Sequence, residues 1–213
     1  MSEITSPDPG GAAPDYPPEP WVLHGQLRTS VFAVPLTDIP VDLPPGCHPV
    51  RIGRYGVVGT AWVSYESSGV LAYEELMSTV LVRRGWRLMP TISHIWVDSP
   101  TSLAGGRALW GIPKELATFE TSGQRRAARD EVGPLADAEL GRVRWLPGRW
   151  PVSFTVVQWL HGAAKQSPVR TRARVGVARE RLRAETTGPL AFLAGRRPLL
   201  SLALGDFRMR FGG

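Results

Sequence analysis

Lysine is nearly absent from this chain of 213 residues: two occur, Lys114 and Lys165, against 23 arginines. A guanidinium stays protonated, whereas an ammonium held in a dry pocket can lose its proton and become a nucleophilic amine. Lys114 stands in the apolar setting Trp110-Gly111-Ile112-Pro113-Lys114-Glu115-Leu116, which makes it the first residue to explain. The plain alternative is a surface lysine left over by a composition that favours arginine. Cysteine is scarcer still, and the single Cys47 excludes an internal disulfide and any CxxC motif, as suits a reducing cytoplasm. The four histidines, His24, His48, His94 and His161, are scattered without ligand spacing, so no metal site is expected. Apolar runs stay short of the roughly 18 residues a membrane helix needs, and none near the start resembles a signal peptide. The expectation is a soluble cytoplasmic protein with no membrane partner.

With 43% apolar residues and eight tryptophans, the body can bury a sizeable core. Its first 20 residues differ. They carry Glu3, Asp8, Asp15 and Glu19 with no basic residue, and six prolines, which predicts a disordered acidic leader over 1–20 and a single domain over 21–213. From Trp21 onward the dominant period is two. Val31, Ala33 and Pro35 alternate, Val57 to Val63 and Val80 to Val82 are short β-rich runs, and Ile92, His94 and Trp96 fall on one predicted strand face. Two short helices are expected. One starts at Asp98-Ser99-Pro100 and runs to about Ala108; the other covers Leu190 to Ala194 before Gly195. Arginines recur at every second position in Arg170 to Arg174 and again in Arg179 to Arg183, with a change of parity across Gly176 that predicts two strands joined by a turn or bulge. Without interleaved aromatics these read as a solvated or subunit-facing sheet surface, and no nucleic-acid partner is expected.

Two motifs carry chemistry. The segment Gly106-Arg107-Ala108-Leu109-Trp110-Gly111-Ile112-Pro113-Lys114-Glu115-Leu116 resembles the signature of the acetoacetate decarboxylase family, in which a Gly-Arg-Glu helix end leads into Pro-Lys-Lys-Leu. Upstream, Gly69-Val70-Leu71-Ala72-Tyr73-Glu74-Glu75 is similar to the family's Gly-x-x-x-Tyr-x-Glu strand, at a distance from the lysine that fits without a gap. The resemblance implies a β-rich α+β fold, a cone-shaped β-barrel with a few short flanking helices, assembled as a homo-oligomer. It makes Lys114 the Schiff-base nucleophile and Glu75 the active-site glutamate, and it implies a small-molecule keto-acid substrate and no cofactor.

Further substrate-binding candidates are Arg107, Tyr73, Trp110, His94 and either Gln26 or Arg28, the two residues that compete for the family's early arginine position. Arg107 can equally close the helix by pairing with its last carbonyls. The pattern is also broken. Glu115 replaces the family's second lysine, Ala108 the glutamate of Gly-Arg-Glu, and Thr60 another family glutamate. A carboxylate beside the amine would raise its pKa unless Glu115 points away. Three functions therefore remain open: decarboxylation of a small or polyketide-like β-keto acid, aldol condensation and dehydration through the same enamine, and ligand binding without turnover.

Overall fold

The computed structural model describes residues 16–39 and 42–213. Alternating apolar residues with few helix-compatible stretches give thirteen strands among them: β1 Trp21–Pro35, β2 His48–Pro49, β3 Arg51–Ile52, β4 Tyr55–Tyr65, β5 Tyr73–Arg84, β6 Arg87–Val97, β7 Lys114–Leu116, β8 Thr118–Ser122, β9 Arg125–Arg129, β10 Pro134–Trp145, β11 Trp150–Leu160, β12 Ala163–Ala184 and β13 Leu200–Phe211. One helix, α1 Pro100–Trp110, follows β6, and the second expected helix is a single 3-10 turn over Ala191–Leu193. No helix of the described residues is long and apolar enough to cross a membrane.

All strands join one coiled sheet ordered β7-β6-β5-β4-β1-β13-β12-β10-β9-β8, with β11 on the first half of β12. Both faces of its central strands are buried, each in its own core. On β1 the residues Trp21 and Leu23 belong to one cluster and Phe32 and Val34 to the other; on β4, Ala61 and Val63 oppose Val58 and Trp62. Period two therefore places successive side chains in different cores rather than in core and solvent. The second core is covered by β8 to β10, with Phe119 of β8 meeting Trp62 edge to face. The first is the interior of a cone whose wall runs from β6 through β5, β4, β1, β13 and β12 to β11.

The ladder of this cone does not close, and a side chain bridges the seam. Gln158 of β11 is buried. Its Oε1 accepts from the Ile92 backbone N–H (2.9 Å) and from Thr91 Oγ1 (2.6 Å), while its Nε2 donates to the Ile92 carbonyl (3.1 Å). One primary amide thus imitates the missing peptide pair between β6 and β11.

Three sequence expectations change. The arginine segments lie on one continuous strand, β12, whose buried face switches from Val169 and Ala173 in the first core to the side of Ala178 and Leu182, where Leu182 joins the second. That hand-over, rather than a turn, reverses the arginine parity. Gly176 is needed there because a Cβ would collide with Val143 Cγ1 of β10. Of the expected leader, residues 1–15 lie outside the described residues, but Tyr16 to Pro20 pack on the domain. The Pro17 carbonyl accepts from Trp21 Nε1 (2.8 Å), and Glu19 accepts from Trp110 Nε1 (2.7 Å) and Lys165 Nζ (3.3 Å). Finally, Ile92 and His94 do not share a face, because the β5–β6 register shifts between the pairs Ser78–His94 and Thr79–Ile92.

Candidate active site

Helix α1 sets the lysine. Ser99 caps its N-terminus by accepting from the Ser102 N–H (3.2 Å), with Pro100 following, and Gly111 ends it in the left-handed conformation (φ 66°). The Gly111 and Ile112 N–H groups donate back to the Arg107 and Gly106 carbonyls, so the chain reverses and β7 runs parallel to β6, with Lys114 beside Ile95. The Lys114 side chain then folds back across the helix it has just left. A Cβ at Gly106 would lie 2.7 Å from Lys114 Cδ, so the glycine gives the aliphatic stem its path. Arg107 Nε donates to the Lys114 carbonyl at 2.7 Å and pins the residue from outside.

Lys114 Nζ is buried and has one acceptor for each of its three hydrogens: Ser102 Oγ at 2.7 Å, Glu75 Oε2 at 3.2 Å and Tyr73 Oη at 3.3 Å. Tyr65 Oη donates to the other oxygen of Glu75 at 3.1 Å. Tyr65 and Tyr73 are opposite neighbours in the β4–β5 ladder, as are Val63 and Glu75, so strand alternation puts both phenols and the carboxylate on the cone's inner face. Burial lowers the Lys114 pKa below the usual lysine range, and the attraction of Glu75 only partly offsets it. Burial, with the charge of Glu75 adding to it, pushes both phenols well above their ordinary value, so they remain neutral. When the amine is neutral it offers two hydrogens and a lone pair; the hydroxyl of Ser102 or Tyr73 can then turn from acceptor to donor. The site therefore accommodates either protonation state without orphaning a buried polar atom.

The amine faces a cavity of ≈ 320 Å³ inside the cone. Glu75, Tyr73 and Trp110 share its wall with Lys114. Trp110 is held there by Trp21, edge to face at 4.8 Å, and by its bond to Glu19. The other candidates lie elsewhere. Gln26 is exposed, and Arg28 projects to the opposite face of β1, 3.5 Å from the Gly141 carbonyl. His94 stacks on Trp96 in the second core's layer, with ring centroids 5.9 Å apart, and also meets Phe192. Arg107 is spent on the Lys114 backbone. Glu115, next along β7, is exposed and directed away from the amine.

Two residues that the sequence reading did not nominate complete the site. Ser102 lacks the setting of a serine nucleophile; only its place three residues after an N-cap, in a helix leading to the lysine, could have marked it. Tyr65 was accessible through register, since a hairpin joining β4 and β5 across Ser67-Ser68-Gly69 sets it against Tyr73.

The family described as Acetoacetate decarboxylase (ADC) matches residues 7–139. No curated protein matches the chain by sequence. Among solved structures, an acetoacetate decarboxylase aligns over 94% of this chain and 89% of its own with a TM-score of 0.68 at 14% identity. The acetoacetate decarboxylase of Legionella pneumophila covers 98% and 90% with 0.66 at 16%. The enduracididine biosynthesis enzyme MppR, complexed with pyruvate, covers 92% and 90% with 0.66 at 17%. At these identities the likeness is one of fold.

Proposed function

Because the chain belongs to the acetoacetate decarboxylase family, we propose that it is a lyase whose Lys114 forms a Schiff base with a β-keto acid and releases carbon dioxide from it. The observation that carries this reading is the buried amine, held between Ser102, Glu75 and Tyr73 at the wall of an apolar cavity. An unperturbed lysine is less than about 0.1% neutral at pH 7. Desolvation enlarges that fraction, and Glu75 Oε2 lies where it can take the departing proton.

The neutral amine adds to the ketone carbon, and the carbonyl oxygen, once protonated, leaves as water to give a protonated imine. The bond between the α-carbon and the carboxylate then breaks. Its electron pair moves through the α-carbon to the iminium nitrogen, carbon dioxide departs, and a neutral enamine remains. A proton returned to that carbon and hydrolysis of the imine liberate ketone and lysine. The iminium is itself the electron sink, so the scheme calls on no cofactor. Glu75 is the group placed to carry the proton between these steps, and the two hydroxyls hold the nitrogen as its hydrogen count changes. The same enamine can instead add to a second carbonyl, a variant for which the ≈ 320 Å³ cavity has room.

Incubation with β-keto acids and borohydride, followed by intact mass and peptide mapping, tests the reading. A reduced adduct on Lys114 is expected, absent in Lys114→Arg, with Lys165 as the only other lysine to exclude. Carbon dioxide release separates decarboxylation from carbon–carbon bond formation. Turnover retained in Lys114→Arg would overturn the mechanism.

A further inference from the structure

We infer that the substrate of this site has a hydrocarbon body and carries no charge beyond a carboxylate one carbon from its reacting carbonyl; this rests on the Schiff-base reading above. Among the described residues lining the cavity, Lys114 and Glu75 are the only charged ones. The rest of the wall is set by side chains such as Leu23, Met77, Ile92, Phe154, Leu204 and Met209. The ionisable groups collect at one end, and the other polar lining residues are the threonines Thr29, Thr60 and Thr79. Along β5 the inward residues run from Tyr73 and Glu75 through Met77 to Thr79, so the uncharged stretch past the glutamate extends roughly 13 Å by strand rise.

Each residue that could have anchored a distant anion is placed where it cannot. Arg28 and Gln26 lie on the other face of β1, and Arg107 donates to the Lys114 carbonyl on the far side of the lysine backbone. A carboxylate at the end of a substrate chain would therefore sit in an apolar wall without a counter-ion, which is strongly unfavourable. A carboxylate one carbon from the carbonyl escapes this penalty. It lies beside the iminium nitrogen that forms on Lys114, and its charge leaves as carbon dioxide. The same wall rewards length, since every methylene transferred from water into it adds to affinity. The site thus sorts β-keto acids by their tails: apolar and extended ones are favoured, short or doubly charged ones are not.

The test uses the full chain and two probe series. In the first, acetoacetate, its homologues up to a dodecyl tail, and a homologue of matched length ending in a second carboxylate are trapped with borohydride. In the second, the secondary alcohols of matched tail length, which cannot form an imine, are titrated by the fluorescence of Trp21 and Trp110, both in the cavity wall. Trapping efficiency and alcohol affinity should each rise roughly three- to fourfold per methylene until the cavity is filled. The terminal carboxylate should cost on the order of a hundredfold or more. Equal or better trapping of acetoacetate than of its long homologues would overturn this substrate class while leaving the Schiff base standing. Alcohol binding that grows with chain length, with no ketone ever captured on Lys114, would uphold the apolar site and remove the Schiff base. Alcohols whose binding ignores chain length would overturn the inference directly.

Discussion

Replacing Glu75 by glutamine isolates the electrostatics of the lysine. The amide keeps the shape and an oxygen for Tyr65 Oη, but it removes the negative charge 3.2 Å from Nζ. That charge favours the ammonium, and burial favours the amine; the two act in opposite directions on Lys114. At an effective dielectric of about 20, a pair at this separation interacts by roughly 5 kcal/mol, an upper bound on what the ammonium loses with the charge. The surrounding hydroxyls compensate in part, and a fall in the Lys114 pKa is the expected effect of Glu75→Gln. The readout is the pH dependence of imine formation, measured by borohydride trapping of a saturating ketone. Its acid limb, set by deprotonation of Lys114, should move to lower pH in the variant. Decarboxylation itself should slow, because the group placed to carry the proton is gone. An acid limb that stays in place or moves upward would refute the coupling, and with it the assignment of Glu75 as the proton's partner.

Three other perturbations follow from the geometry. Gly106→Ala improves helix propensity by up to about 1 kcal/mol but drives a methyl against the Lys114 stem; imine formation should slow at least roughly tenfold with the fold retained, and wild-type trapping rates would show that the stem's path does not depend on the glycine. Gln158→Ala strips partners from Ile92 N–H, Ile92 C=O and Thr91 Oγ1 and should cost about 3–5 kcal/mol in urea unfolding, with faster exchange of the Ile92 amide; a loss under about 1 kcal/mol would mean that the seam is held by packing alone. Glu180, buried beside Ser30, has its pKa raised to about 7, chiefly by burial. Its folded value lies above its unfolded one, so the native state holds the extra proton and stability falls as pH rises from about 4.5 to 7. Glu180→Gln should flatten that decline in urea midpoint against pH; an unchanged slope would place the titration elsewhere.

How far the sequence could be read depended on what each pattern determines. The capped start of α1 and the lysine beyond its end are local signals, and both are legible, whereas the helix end expected near Ala108 comes at Trp110, where Gly111 turns left-handed. The β character of the body is legible too, because alternation is also local. Alternation does not tell which face is which when both are buried, and here Phe32 and Trp21 serve different cores from one strand. The family resemblance nominates Gln26 and Arg28, and alternation alone does not show that both lie on the face of β1 away from the cavity. His94 was misplaced by a one-residue register shift that no apolar pattern records, and the long β12 was divided because its arginines change faces as the strand passes between cores. Ser102 escaped notice because nothing in its neighbours reports that a lysine twelve residues later returns to it.

The pairing of β1 with β13 sets the order in which the protein can be completed. Trp21 lies opposite Phe211 and Val31 opposite Leu200, so strands from the two ends of the described chain are hydrogen-bonded neighbours at the centre of the sheet. On a ribosome, β4 can pair with β1 and β5 with β4 early, yet the other edge of β1 stays bare until β13 emerges. Assembly must therefore wait for a contact between the first and the last of the described strands, which predisposes the chain to slow folding and leaves a nascent sheet edge exposed to strangers in the meantime.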